Sequence, residues 1–418
     1  MKRTVVEIPY DKGIISLMIP EKNLGELLKA EPIPSPFPQD PADWGWEHGT
    51  EGASLPDFLA SADDVLIIVN DHARPTPTAV ILESIKKYIP WEKSSFIIAT
   101  GTHRASTPQE LEVIFGRNLP RVESRVIMHQ AKEDHTMFSV GKTVSGKELA
   151  LNKALERVDS VLVIGSVEPH YFAGFTGGRK GLMPGIANYD AVEANHSLAM
   201  SREAAPMKLA GNPVHEEMDS CLDLFSRWRI YSIQAVLNRD GSIYHISHGD
   251  IRKSLLEAAE RAGEVFSLPV SQMADLVIAV AAPPLDIDLY QSQKAMEHAR
   301  RILKPGGILM LYSPCHDGIG PANFYELLSS GKTLDEIRLE LKYGYKLGFH
   351  KTARFLDLYK SSSLWVKSEL APQVLRKIYI TPIEDAQKSL DDALEILGGD
   401  ARVSVLYDAS TMVPVLNN

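Results

Sequence analysis

Short apolar runs rich in β-branched residues recur along this chain, spaced widely enough for a helix to lie between them. The first reads VLIIV at 65–69, and similar runs stand at 95–99, 125–128, 161–164, 276–280, 308–311 and 403–406. Continuous runs of this kind, without strict alternation, predict parallel strands covered on both faces. The intervening segments predict helices near 78–89, 107–116, 252–262, 290–303, 333–343 and 385–397. The opening MKRTVVEIPYDKG alternates like a strand, and the Pro-, Trp- and Gly-rich stretch from Glu31 to Leu55 predicts a packed irregular connection.

The expected fold class is α/β: two lobes, each a mostly parallel sheet flanked by helices, with an active site in the interlobe cleft. Length supports two lobes, because a single core rarely grows beyond about 250–300 residues and this chain has 418. The boundary is expected near residue 270, giving lobes 1–270 and 271–418, with the last strand a candidate to return to the first lobe. A net charge of −10 argues against a nucleic-acid surface. No run approaches the roughly 18 apolar residues of a membrane span. The two cysteines, Cys221 and Cys315, form no metal-type pair and fit a reducing cytoplasm.

Candidate chemistry begins where the predicted strands end. One run leads into Asn70-Asp71-His72-Ala73-Arg74-Pro75, a second into Thr100-Gly101-Thr102-His103-Arg104, and a third into Gly165-Ser166-Val167-Glu168-Pro169-His170. Open parallel sheets bind ligands beyond the carboxyl ends of their strands, so these groups are expected to converge. A lone histidine at a strand end is more often structural; three polar strand ends together point to a site.

The segment 169–185, PHYFAGFTGGRKGLMPG, follows directly. Its five glycines permit close backbone approach and positive φ. It lacks the Gly-Lys-Ser/Thr ending of a Walker loop. A mobile glycine-rich loop would explain the glycines but not Tyr171 and Phe172 beside His170, nor the cations Arg179 and Lys180. A lysine in such a loop is a candidate nucleophile or covalent anchor. His196 comes next, and a bare metal held by His103, His170 and His196 is one possibility, since no HExxH spacing exists. In the second lobe Tyr290 and Lys294 lie four apart on one expected helical face, with Gln291 beside them at a helix start that attracts anions.

In their order and spacing these motifs resemble the lactate racemase family. The resemblance rests on Asp71-His72-x-Arg74-Pro75, Gly101-Thr102-His103-Arg104, the run from His170 to Gly185, His196, and Tyr290-Gln291-x-x-Lys294. It implies a 2-hydroxy acid racemase or epimerase using a nickel-pincer nucleotide: pyridinium-3-thioamide-5-thiocarboxylic acid mononucleotide with nickel, attached covalently to Lys180. It further implies that His196 is the protein's nickel ligand and that His103 and His170 are paired acid–base groups, one for each enantiomer. Arg74 would clamp the substrate carboxylate, Gln291 and Lys294 would hold its oxygens, and Asp71 would orient the cofactor or Arg74. Phe172 and Tyr290 would pack near the cofactor. The first lobe would then carry cofactor and catalysis, and the second would close on substrate. Host cofactor-synthesis proteins are implied as partners.

From glycine chemistry, the backbone at Gly177 and Gly178 is expected to receive the cofactor phosphate. The segment 345–351, which includes His350, lies where the second lobe is expected to shape the substrate pocket. Two other readings stay open on the residues alone. One is a phosphate-binding transferase or hydrolase using the glycine-rich loop and the strand-end histidines. The other is a non-catalytic binding module for small carboxylates, which leaves those histidines without a role.

Overall fold

The computed structural model describes residues 2–38 and 40–417. The chain forms two compact units, Pro32–Val265 and Met1–Glu31 together with Phe266–Asn418, each built on a six-stranded sheet. In the first of these the strand order is Ile243–Gly249, Arg229–Leu237, Ser160–Ser166, Val65–Asn70, Ser94–Ala99, Val126–Met128. All neighbours run parallel except the edge strand Ile243–Gly249.

Successive residues of the central strands enter opposite cores. Leu66, Ile68, Ile97, Val161 and Val163 face one side; Val65, Ile67, Val69, Phe96, Ile98, Leu162 and Ile164 face the other. Burial on both faces is why these strands show no polar alternation. The second face is covered by helices Leu55–Ala60, Thr78–Ile85 and Pro108–Phe115, and by Trp44 and Trp46 of the expected packed connection. Thr107 and Glu110 close a capping box that starts the helix Pro108–Phe115. The first face carries helices Tyr189–Ser197 and Pro213–Ser220 and the glycine-rich segment.

The other unit has an all-parallel sheet in the order Thr381–Pro382, Ser363–Lys367, Leu303–Tyr312, Ala274–Val280, Val403–Leu406, Leu24–Leu28. The hairpin of Arg3–Tyr10 and Gly13–Pro20 lays Val6, Ile8, Leu17 and Ile19 on this sheet beside Leu390 of helix Ala386–Leu397. Residues 1–31 therefore group with the C-terminal part of the chain, not with a lobe spanning 1–270. The last strand, Val413–Leu416, pairs with Ser267–Val270 in this same unit and does not cross to the other. Pairing between Leu24 and Val403 joins opposite ends of the chain, and local apolar pattern carries no record of such distant partners.

Burial also sets an acid limit on stability. His129 and His248 in one unit and His298 in the other are buried, and burial lowers each to a pKa of about 4. Below the ordinary imidazole value the unfolded chain binds protons that these sites refuse. Their contribution is complete above about pH 6.5 and is lost as the pH falls towards 4, by up to about 1.4 kcal/mol per unit for each ring. Urea midpoints should fall between about pH 7 and about pH 5.5. A flat profile would mean that the rings are protonated in the fold.

Candidate active site

The strands Ser160–Ser166, Val65–Asn70 and Ser94–Ala99 are neighbours in one sheet and point the same way. Their polar C-terminal extensions therefore leave the sheet side by side, as the strand-end rule requires. His103 Nδ1 lies 2.7 Å from Asp71 Oδ2. Asp71 is buried, and its Oδ1 accepts from the Ala73 N–H at 3.3 Å. Neutral His103 thus carries its proton on Nδ1 and presents the Nε2 lone pair, while the carboxylate fixes the ring. Asp71, expected to orient the cofactor or Arg74, sets its carboxylate against His103, and its backbone carbonyl accepts from the Arg74 N–H at 3.2 Å. Arg74 Nη1 donates to Glu168 Oε1 at 3.0 Å, so a residue outside the expected set holds the guanidinium. Glu168 belongs to the strand-end segment Gly165–His170, but its role depends on a neighbouring strand end. The neighbouring motif residues His72 and Arg104 both turn to Glu110, at 3.5 and 2.6 Å.

His170 lies in the short strand Pro169–His170, and the Ala173 N–H donates to its Nδ1 at 3.2 Å. Its ring stacks on Tyr171, with centroids 5.2 Å apart, and meets Phe172 edge-on at 4.5 Å. Phe172 is buried and also meets His196 edge-on at 5.2 Å. One aromatic ring thus packs against both the expected acid–base residue and the expected metal ligand. His196 Nδ1 faces the Val192 carbonyl, one helical turn back, at 2.9 Å. Burial, then the charge of Lys180, pushes the ring down to a pKa of about 3. His196 is therefore neutral, donates through Nδ1–H, and presents Nε2 as a lone-pair donor.

Arg179, 1 % exposed, explains one of the two loop cations. Its guanidinium donates to the carbonyls of Thr176, Gly177, Ala173 and Phe175 at 3.1–3.4 Å. Burial lowers its pKa to about 10. The segment is thus wound around an internal cation. Lys180, partly exposed, lies beside Arg179 in the short turn Gly178–Gly181 and acts electrostatically on His196.

Gly177 and Gly178, expected to receive the cofactor phosphate, lie inside the fold. Both are buried, and the Gly178 N–H already donates to Gln234 Oε1 at 2.8 Å. Packing explains the glycines: a Cβ at Gly177, where φ is +77°, would stand 2.4 Å from Val167 Cγ2 and 2.6 Å from Gln234 Oε1. Gly177→Ala should destabilise the chain by about 2–3 kcal/mol in urea unfolding, whereas a cradle role would cost cofactor affinity and leave stability in place. The bare three-histidine metal site is likewise not found: among the described residues no group of three or more His, Cys, Asp or Glu could hold a metal ion.

In the other unit Tyr290, Gln291 and Lys294 occupy the start of helix Leu289–Ala299, whose cap Asp288 accepts from the Gln291 N–H at 2.6 Å. The segment 345–351 comes to this turn. Lys351 sits over the Tyr290 ring, 3.7 Å from its centroid, and also bonds the Tyr290 carbonyl. Lys351 is buried, and burial followed by the charge of Lys294 drives its ammonium well below the usual lysine range. His350, also buried, meets the Tyr345 hydroxyl at 2.8 Å. Lys351 was missed because its charge breaks the apolar pattern of helix Phe349–Ser361, although it occupies the buried face.

The chain is thus a two-unit α/β protein carrying a carboxylate-backed histidine at the strand ends of one sheet. Family models place it. Residues 10–207 match the lactate racemase N-terminal domain and residues 270–413 the lactate racemase C-terminal domain. The chain belongs to the lactate racemase family, a family of isomerases. It is 27 % identical over 428 residues to the lactate racemase of Thermoanaerobacterium thermosaccharolyticum, covering 98 % of each chain. It is 29 % identical over 338 residues to that of Lactiplantibacillus plantarum, covering 78 % of each. The solved lactate racemase apoprotein from T. thermosaccharolyticum superposes with a TM-score of 0.88 at 26 % identity, covering 99 % of this chain and 100 % of that one. A Thermotoga maritima protein shares the fold, with a TM-score of 0.66 at 16 % identity over 87 % of this chain and 96 % of that one. Among the described residues no helix is long and apolar enough to cross a membrane.

Proposed function

We propose that this chain is a cytoplasmic 2-hydroxy acid racemase or epimerase acting on lactate or a related acid, with a nickel-pincer nucleotide on Lys180. The observation that carries the reading is His196: a neutral imidazole whose Nδ1–H is committed to the Val192 carbonyl, within electrostatic reach of Lys180 and edge-on to Phe172. A single imidazole would suit a nickel cofactor whose own soft ligands supply the remaining donors. Lys180 would hold the group covalently, His196 would bind its metal, and Phe172 would pack beside it. When bound, the group supplies a reversible acceptor for the C2 hydrogen as hydride.

The protein's own part is binding and proton transfer. Arg74, steadied by Glu168, binds the substrate carboxylate, for which the planar guanidinium is suited. His103, whose Nδ1 faces Asp71, would take and return the hydroxyl proton of one enantiomer, and His170 would do so for the other. The cofactor role of Tyr290 and the substrate roles of Gln291 and Lys294 belong to the same proposal and rest on the family resemblance, as do host cofactor-synthesis proteins as partners. The phosphate-loop alternative is disfavoured because the Gly178 N–H is already bonded.

The test is to purify the protein anaerobically from its native host, measure nickel, and weigh the peptide containing Lys180. A sulfur-bearing nucleotide adduct with nickel near one per chain is expected. Active protein with unmodified Lys180 and no nickel would overturn the reading.

A further inference from the structure

We infer that Lys351 is a positioning residue: it locks Tyr290 and the first turn of helix Leu289–Ala299, and through that turn it sets how firmly Gln291 and Lys294 hold substrate. The substrate clause rests on the proposed racemase reading; the lock rests on contacts within one unit. Lys351 stands in the first turn of helix Phe349–Ser361 and is 3 % exposed. Its Nζ donates to the Tyr290 carbonyl and sits 3.7 Å from the centroid of the Tyr290 ring. One group thus holds both the backbone and the side chain of the same residue.

The bond is returned. Gln293, also buried, donates through Nε2 to the Lys351 carbonyl at 2.7 Å. Each helix therefore sends a side chain to a main-chain oxygen of the other. The two anchor points on helix Leu289–Ala299, Tyr290 and Gln293, lie within one turn. Sliding or rotating that turn would break both bonds.

The ring itself has little room to move. Phe324 meets it edge-on at 5.5 Å. Gly320 and Gly348, at φ +102° and +97°, approach so closely that a Cβ on them would stand 2.5 Å from Tyr290 Cβ and 3.3 Å from its hydroxyl oxygen. Behind the turn, the Leu289 and Tyr290 N–H groups donate to the Gly318 and Ile319 carbonyls at 3.1 and 3.0 Å.

An apolar side chain would fill the place of Lys351 without the penalty of burying an amine. What lysine adds is a donor for the carbonyl and an attraction to the ring face. Both act on the residue directly before Gln291. In an α-helix the Lys294 N–H is the partner of that same Tyr290 carbonyl. The charge of Lys294 also reaches Lys351, so the lock stands beside a residue proposed to hold substrate oxygens.

Hydrogen exchange of the apo chain tests the lock without substrate or cofactor. In K351M, which keeps the stem's volume, the amides of 289–294 should exchange about tenfold faster or more, and those of 160–166 and 403–406 should be unchanged. Unchanged exchange at 289–294, or an equal gain throughout the chain, would overturn the inference. So would Q293L loosening this turn where K351M does not, since the lock would then belong to Gln293 alone. In the holoenzyme, with lactate as the probe, K351M should raise KM about tenfold and lower kcat less than about threefold. A loss of kcat at unchanged KM would overturn the positioning role. Wild-type holoenzyme inactive on lactate would instead count against the racemase reading for that acid, and the exchange comparison would still decide the lock.

Discussion

Asp71→Asn should reduce turnover by about a thousandfold or more while leaving the fold in place. Asp71 makes two bonds through its carboxylate, to the Ala73 N–H and to His103 Nδ1. An asparagine fits the same space and can keep the first bond through its carbonyl oxygen. It then turns an NH2 group towards His103, which must answer with a lone pair on Nδ1 and a proton on Nε2. The histidine is still present, but the nitrogen facing the substrate has become a donor. Loss of the correct tautomer is costly where the imidazole is the base: the serine-protease triad loses about 10⁴-fold on the same substitution. Turnover of the holoenzyme checks this, with thermal unfolding as the control and the His103 15N signature as the cause. Near-normal turnover would remove His103 from the proton path.

The largest stability effect is expected from Arg179→Met. Methionine approximates the volume of the arginine stem but carries no donors. The carbonyls of Ala173, Phe175, Thr176 and Gly177 would lose the guanidinium at their centre. The Ala173 and Gly177 carbonyls keep the Phe175 and Lys180 N–H donors, and each carbonyl left unsatisfied costs about 1–3 kcal/mol before relaxation. A net loss of about 4 kcal/mol in urea unfolding is a reasonable expectation. The damage should reach His170, because Arg179 braces the Ala173 turn that fixes the ring. Lysine at this position should rescue little, since one ammonium cannot reproduce the planar spread of the guanidinium. A loss below about 1 kcal/mol would show that the loop holds its shape by packing alone.

These expectations mark where local sequence is informative. The central strands were legible because a strand buried on both faces must be apolar throughout, as 65–69 and 161–164 are. Arg229–Leu237 was not legible, although it is equally buried, because Ser232 and Gln234 interrupt it. Their polar groups are spent inside the fold, on Ser254 and on the Gly178 N–H, and no local pattern distinguishes such a residue from one facing water. The site divides the same way. Asp71, Arg74, His103 and His170 were visible because strand ends concentrate function, and His196 because its spacing resembles the family's. Their pairings were not visible. That Asp71 holds His103 and Glu168 holds Arg74 follows from strands Val65–Asn70, Ser94–Ala99 and Ser160–Ser166 lying side by side, which is a property of the sheet order.

The grouping of residues 1–31 with the C-terminal part also bears on biosynthesis. All of 32–265 leaves the ribosome before most of the other unit has been made, so that unit can close its sheet early. The segment Leu24–Leu28 precedes 32–265 in the chain and pairs with Val403–Leu406, which follows it. Its backbone edge and the apolar side of the hairpin Arg3–Pro20 wait until that distant partner has been made. Nascent chains stalled before residue 403 should hold a protease-resistant 32–265 core behind a cleavable leading segment, and should be the species that most needs chaperone cover.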